Sequence, residues 1–259
     1  MTEQDVRATA VTAALLVIGD EILSGRTPDA NIPYVAAFLA KIGIILREVR
    51  IVPDEEGEIV TALNALRERF TYVFTTGGIG PTHDDVTTDA IGKAFSVPVE
   101  IDPRAVEVMR KGYTELELTP ARLRMARTPR GAELVDNPVS RVPGYMLGNV
   151  IVMAGVPDIM QVMLDAVAPR LKKGRPMRAR SIRIDVPEGD AAPGLAQVQQ
   201  MHLEVQIGSY PFFQKNRHGT YVVLRCVDEG ELEQAFAALW ALIRKEGFNA
   251  VLDEPTNSA

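Results

Sequence analysis

Residues 15–18 read LLVI and end on Gly19 without a polar interruption. An unbroken apolar run of this kind suits a parallel strand buried on both faces better than a half-exposed strand, which would alternate. Two further segments behave similarly. Residues 44–52 are rich in β-branched side chains and stop at Pro53-Asp54, and the apolar residues 72–74 lead straight into TTGGIGPTHDDVTTD. Between the first two runs, Asn31 can cap a helix with Pro33 in its first turn, and Tyr34, Val35, Phe38, Leu39 and Ile42 share one face before Gly43 ends it. Between the second and third, Ile59, Ala62, Leu63, Leu66 and Phe70 recur with helical spacing. Strand and helix therefore alternate as βαβαβ, the pattern of a parallel sheet.

Right-handed crossovers place the carboxyl ends of parallel strands on one edge of the sheet, where ligands of such folds sit. Gly19-Asp20-Glu21 follows the first strand and residues 76–85 follow the third, so two segments far apart in the chain are expected to meet. Downstream, residues 86–95 and 103–113 read as helices and residues 121–130 as a short basic helix. Residues 149–153 read as another strand, leaving through GVPD into a helix that turns Ile159, Val162, Met163 and Val167 inward.

The 259 residues, 46% of them apolar and 24% charged, describe a soluble globular chain of one large or two unequal domains. The basic run RLKKGRPMRAR changes the composition and marks a connection. The expected organisation is an α/β domain over 13–170, a linker over 171–180 and a small α+β domain over 181–254. In the last, strands are expected at 181–186, 205–210 and 220–227 and helices at 195–201 and 231–245. Asn137-Pro138, Pro143-Gly144 and residues 208–211 read as turns. Residues 1–12 read as a frayed leader with acids before a short apolar run, unlike a secretory signal and too short to span a bilayer. A net charge of −6 argues against a broad nucleic-acid surface. One cysteine and three histidines give neither an internal disulfide nor a Cys/His zinc site, which fits a reducing, cytoplasmic setting.

Glycines 77, 78 and 80 allow positive φ and close ligand approach, and the helix after them offers its N-terminus, so the loop suits phosphate. Asp84 and Asp85 would repel that anion unless a divalent cation lies between, as Mg²⁺ commonly does between one or two carboxylates and substrate oxygens. Asp20 could add a third ligand. Alternatively, one of the two aspartates caps the following helix, which has room for one cap residue. His83 could act as base or ligand, or simply bond a carboxylate. Ser24, Gly25 and Asp29 could touch a ligand or serve as turn residues. Arg122, Arg124 and Arg127 could clamp phosphate, pair with another subunit or form a solvated face. Neither a P-loop, nor a nucleophile elbow, nor an HExxH motif is present.

TTGGIGPTHDDVTTDAI resembles the signature of the molybdopterin-binding domain family. With GDEILSGRTPDAN, RMARTPRGAELVDNP, AGVPDIM and IGSYP, it resembles the CinA (competence/damage-inducible) branch from about residue 13 to residue 210. The resemblance implies a three-layer α/β/α fold with a mostly parallel sheet, MogA/MoaB-like, plus the smaller C-terminal α+β domain. It implies one pocket lined by Gly19, Asp20, Glu21, Thr76, Gly77, Gly78, Gly80, Asp85 and Thr87, with Pro81, Thr82, His83 and Asp84 matching the CinA branch in particular. Ile159 stands where that branch commonly carries Glu, and the chain stops at Ala259, before the amidase domain of full-length relatives. Deamidation of nicotinamide mononucleotide is therefore not expected.

Two readings follow. One is a divalent-metal-dependent (Mg, Mn or Co) pyrophosphatase cleaving ADP-ribose or FAD-like dinucleotides, with Asp20, Asp84 and Asp85 on the metal and His83 or Asp20 as base. The other is a protein that holds molybdopterin, or its adenylylated form, without hydrolysis. Either way the partner is a small-molecule nucleotide or pterin phosphate, with no nucleic acid and no membrane. The family's tendency to associate adds the expectation of a homo-oligomer. An interaction module with a vestigial pocket is the third alternative.

Overall fold

A computed structural model describes residues 10–214 and 217–252. These fall into two compact units that divide between Gly174 and Arg175. The leader residues 1–9 and the end of the chain from residue 253, including residues 253–254 of the second expected domain, lie outside the described residues. β1 (Thr12–Ile18) already contains the last residue read as leader, and Val11 before it is buried.

The first unit holds a six-stranded sheet ordered β2-β1-β3-β8-β7-β6. Its parallel part consists of β2 (Ile45–Val52), β1, β3 (Tyr72–Thr76) and β8 (Val150–Met153), as the alternating pattern implied. β1 is buried on both faces. Leu15 and Val17 enter one core with Phe74, Val35 and Leu39; Leu16 and Ile18 enter the other with Ile59, Leu63 and Ile91. β7 (Gly144–Leu147) and β6 (Glu133–Val135) extend the sheet as antiparallel strands. They are three and four residues long and β7 begins at the Pro143-Gly144 step, which the sequence reading gave as a turn.

The one-turn helix α1 (Asp20–Leu23) stands where only a loop was expected. α2 (Asn31–Lys41) follows it, α3 (Glu56–Arg67) follows β2 and α4 (Thr87–Phe95) follows β3. Because each helix follows a parallel strand, all begin at the carboxyl edge of the sheet. Asn31 does not cap α2. Asp29 does so, its Oδ1 accepting the Ile32 N–H at 2.6 Å.

Residues 121–130 are not one helix. α5 (Pro103–Met109) and α6 (Pro120–Leu123) come first, then a 3-10 turn over Arg124–Ala126, and Arg127–Pro129 form β5, paired with β4 (Val99–Ile101). Thr128 precedes a proline, which disfavours helix at that residue, and the strand places Arg127 beside Asp89. After β8 comes α7 (Pro157–Val167).

The second unit is a four-stranded antiparallel sheet, β10-β11-β9-β12, comprising β9 (Arg178–Ile184), β10 (Gln206–Gln214), β11 (Arg217–Cys226) and β12 (Ala250–Leu252). α8 (Glu188–Met201) and α9 (Glu229–Lys245) pack their apolar sides with it into one core. β9 starts inside the stretch read as linker, while Leu171 is buried in the first unit. Residues 208–211 are strand rather than turn; β10 is an edge strand, where a proline such as Pro211 costs no ladder partner. No helix among the described residues is long and apolar enough to cross a membrane.

Candidate functional site at the carboxyl edge of the sheet

The two segments expected to meet do so, because β1 pairs directly with β3 and Val17 stands opposite Thr76. Gly77 then turns with φ 101°, and a Cβ there would lie 2.1 Å from the Ile18 carbonyl oxygen. Gly78 follows with φ 66°, its missing Cβ leaving space for the Thr87 hydroxyl. Gly80 does not take positive φ; it leaves room for the Asp85 carboxylate instead.

Thr87 is fully buried and locks this turn. Its N–H donates to the Gly78 carbonyl at 3.1 Å and its hydroxyl to the Gly77 carbonyl at 3.0 Å. Its role is to hold the loop, since no part of it faces solvent. The cradle is smaller than the glycine count implied. The Gly77 N–H is spent on the Met153 carbonyl and the Gly80 N–H on Asp85, leaving the Gly78 and Ile79 amides without a partner among the described residues.

The two adjacent aspartates do different things. Asp85 folds back on its own loop, accepting from Gly80 N–H at 2.6 Å, Thr82 N–H at 2.8 Å and the Thr82 hydroxyl at 2.5 Å. Neither caps α4, which has no side-chain cap. Asp84 stays exposed; the Thr82 hydroxyl and its own backbone N–H hold its carboxyl below the ordinary range, with His83 Nδ1 3.9 Å away adding to this. His83 itself is 97% exposed, so nothing holds it toward a substrate.

The sequence reading missed Asp54, which it took as the end of a strand. Its carboxylate accepts the Asp20 backbone N–H at 2.9 Å and lies 3.5 Å from where a Cβ on Gly78 would be. Burial pushes the Asp54 carboxyl above the ordinary carboxylate range; the Asp20 N–H opposes this, and the charges of Asp20, Glu21 and Asp84 push it further up. The available signal was topological, since an acid directly after a parallel strand beside β1 must lie at the same edge as Asp20.

Asp20 and Glu21 open α1 and are exposed. Ser24 donates to the Glu21 carbonyl at 3.3 Å, Gly25 takes φ 72° and Asp29 caps α2, so these three serve the turn. Thr76 is buried at the end of β3, and Pro81 and Thr82 are exposed on the loop. Among the described residues no group of three or more His, Cys, Asp or Glu side chains is placed to hold a metal ion. Asp20, Asp84 and Asp85 therefore do not form a preassembled ligand set.

The three arginines also separate. Arg122 bonds the Glu117 carbonyl at 2.9 Å and lies over the Tyr113 ring, and Arg127 grips Asp89 at 2.5 and 3.1 Å. Arg124 lines a crevice of about 10 Å³ with Gly80, Asp85, Thr88 and Tyr145, room for one water at most. Beneath it the Tyr145 hydroxyl donates to Thr88 Oγ1 at 3.2 Å, and burial raises its pKa strongly.

The edge therefore sets partly positive helix N-termini and free amides against the carboxylates of Asp20, Glu21, Asp54 and Asp84. The family described as a probable molybdopterin binding domain matches residues 14–173, and the middle domain of FAD synthase matches residues 176–251. A protein of Pyrobaculum arsenaticum is 37% identical over 210 residues, covering 77% of this chain and 79% of that one. A probable FAD synthase of Caenorhabditis briggsae is 30% identical over 258 residues; the match covers 90% of this chain and 49% of the relative, so the chain spans about half its length. The solved structure of CinA from Thermoplasma acidophilum, a protein of unknown function, is 34% identical with a TM-score of 0.59, over 62% of this chain and 98% of that one. This chain belongs to the molybdopterin-binding domain family, in its CinA-like form, joined to a domain of the FAD synthase middle type.

Proposed function

We propose that the chain is a divalent-metal-dependent nucleotide pyrophosphatase acting on diphosphate-bridged dinucleotides such as ADP-ribose or FAD. The observation that carries this reading is the approach of the Asp54 carboxylate, held above its ordinary pKa by burial and by Asp20, Glu21 and Asp84, to the glycine turn whose Gly78 and Ile79 amides have no partner among the described residues. Carboxylates without thiol or buried imidazole suit a hard cation that keeps much of its water and takes one or two protein ligands plus phosphate oxygens. Asp84, with Asp20 beside it, would hold it, leaving Asp54 outside the ligand set. When bound, such an ion supplies Lewis-acid polarisation of the phosphate oxygens.

The chain's own groups supply the rest. The Gly78 and Ile79 amides donate to a phosphoryl oxygen as charge develops on it. The Asp54 carboxylate, its proton affinity raised, takes the proton of the water that attacks phosphorus. The new P–O bond forms as the bridging P–O bond breaks, giving two monophosphates. Asp85 and Thr87 position the loop without touching substrate.

A second reading is non-hydrolytic binding of a molybdopterin phosphate at the same turn, favoured by the match over residues 14–173. Incubation with ADP-ribose, FAD and NAD, with Mg²⁺, Mn²⁺ or Co²⁺ and with chelator, tests both. Mononucleotide release that chelator stops, and that falls at least ~100-fold in Asp54→Asn and Asp84→Ala, supports the enzyme. Absence of turnover with every metal, together with calorimetric binding of molybdopterin that Asp84→Ala leaves intact, favours the holding protein.

A further inference from the structure

The second unit carries an open groove of about 680 Å³ along α9, made entirely of residues of that unit. Its volume falls within the roughly 300–1,000 Å³ of small-molecule sites. The helix repeat explains its lining. Leu232, Ala235, Phe236, Leu239 and Ile243 enter the core, so Ala237, Trp240, Ala241 and Arg244, three or four positions apart, run along the margin of the helix, and β9 adds Arg180. The two alanines leave space that longer side chains would fill.

Rings and cations are paired in this groove. Phe236 and Trp240 have ring centroids 6.3 Å apart and planes 25° apart; the Arg180 guanidinium lies 4.5 Å over the Phe236 ring and that of Arg244 lies 5.7 Å over the Trp240 ring. Surface arginines often lay their stems on apolar neighbours and give their charge to a carboxylate. Here the second half of that arrangement is weak or missing. Among the described residues Arg180 has only Glu233, at 3.5 Å, and Arg244 has no ion-pair partner. None of the described residues lining the groove is acidic. On a chain of net charge −6, this is a local patch of positive charge on aromatic surface.

Guanidinium groups bind phosphate through paired N–H donors and stack by their flat faces on π-systems. An inorganic anion alone would meet the arginines and leave the rings bare. An uncharged ring would do the reverse. A molecule that joins a flat ring to a phosphate matches both halves. Since no carboxylate lines the groove, such an anion needs no bridging cation here, in contrast to the glycine turn. We propose that this groove is a second, metal-independent nucleotide site, taking the base of a nucleoside monophosphate against Phe236 and Trp240 and its phosphate on Arg180 and Arg244. It stands on the second unit alone and does not depend on the reaction proposed for the glycine turn.

Trp240 is the only tryptophan in the chain, so its fluorescence reports on the groove directly. The test is titration of the full chain with AMP, adenosine and inorganic phosphate, in the presence of chelator, on the wild type, Arg180→Gln, Arg244→Gln and Asp84→Ala. Chelator removes metal-dependent binding at the glycine turn. Both arginines reach solvent, so neither variant is expected to lower the melting temperature by more than about 2 °C. AMP is expected to change the Trp240 emission saturably and to bind about tenfold more tightly than adenosine, while phosphate alone gives no change. Each arginine variant is expected to bind AMP about tenfold more weakly, the loss of one charge-assisted contact at an exposed site, and Asp84→Ala to bind it as wild type does. No saturable change at millimolar AMP overturns the site. Equal affinity for AMP and adenosine, or unchanged AMP affinity in both arginine variants, also overturns it, since the arginines then hold no phosphate. Loss of the AMP response in Asp84→Ala overturns it as well, by moving the nucleotide to the other unit. A saturable response alongside no turnover of any dinucleotide leaves this site standing and removes only the proposed reaction.

Discussion

Asp84 and Asp85 are adjacent and chemically identical, yet their contacts assign them opposite work, and replacing each by alanine separates the two roles. Asp85→Ala removes three hydrogen bonds to an ionised carboxylate, from Gly80 N–H, Thr82 N–H and the Thr82 hydroxyl. Bonds to charged groups contribute roughly 1.5–3 kcal/mol each when dry, but water can replace Asp85 at the exposed Thr82, so about 2 kcal/mol of net loss is expected. At about 2–4 °C per kcal/mol for a unit of this size, the melting temperature falls by about 4–8 °C. The Gly80 and Thr82 amides lose the same local stability, so their hydrogen exchange accelerates about 30-fold. Asp84 lies on the solvent side of the loop, its carboxyl lowered by the Thr82 hydroxyl and its own backbone N–H, contacts that water replaces; Asp84→Ala therefore changes the melting temperature by no more than about 2 °C and leaves Gly80 N–H exchange as in wild type. Hydrogen exchange resolved at residues 80–82 is the measurement. Loop exchange in Asp85→Ala indistinguishable from that in Asp84→Ala would refute the division of labour.

Asp54→Asn keeps an acceptor for the Asp20 N–H and deletes a charge whose ionisation the fold opposes. The folded-state pKa is raised, so the cost of ionisation is absent below the unfolded-state pKa and complete above the folded one. The variant is therefore expected to melt about 1–3 °C higher than wild type at neutral pH, with the gain vanishing toward pH 3 and below; thermal scans across pH check this, and a lower melting temperature at pH 7 contradicts it. Asp102 has the opposite sign. Arg104 beside it holds its carboxyl below the ordinary range, and Asp102 also caps α5 through the Arg104 N–H at 2.8 Å. That stability is present above the unfolded pKa and lost as pH falls through the folded one. Asp102→Ala should cost about 2 kcal/mol at neutral pH, combining a cap with a half-exposed ion pair, and the difference from wild type should shrink in acid.

The sequence by itself determined the parallel sheet, because apolar runs at residues 15–18 and 72–74 admit few positions other than strands buried on both faces. It also placed Gly19-Asp20-Glu21 and the glycine turn at one edge, since right-handed crossovers leave no alternative. The longer helices were legible from their apolar spacing, but α1, the first half of α8 and the break-up of residues 121–130 were not. Short strands with mixed surroundings were not: β6 and β7 take their place from pairing with β8, and Arg127 leaves a helical pattern because a Thr-Pro step and Asp89 hold it extended. Residue types could propose acids near a phosphate loop but not apportion them. Only the tertiary structure showed that Asp85 is consumed by its own loop, that Asp54 enters from a neighbouring strand and that His83 stands in solvent. The physical reason is that hydrogen-bond partners and burial belong to pairs of residues brought together by the sheet, and composition and spacing describe each segment alone.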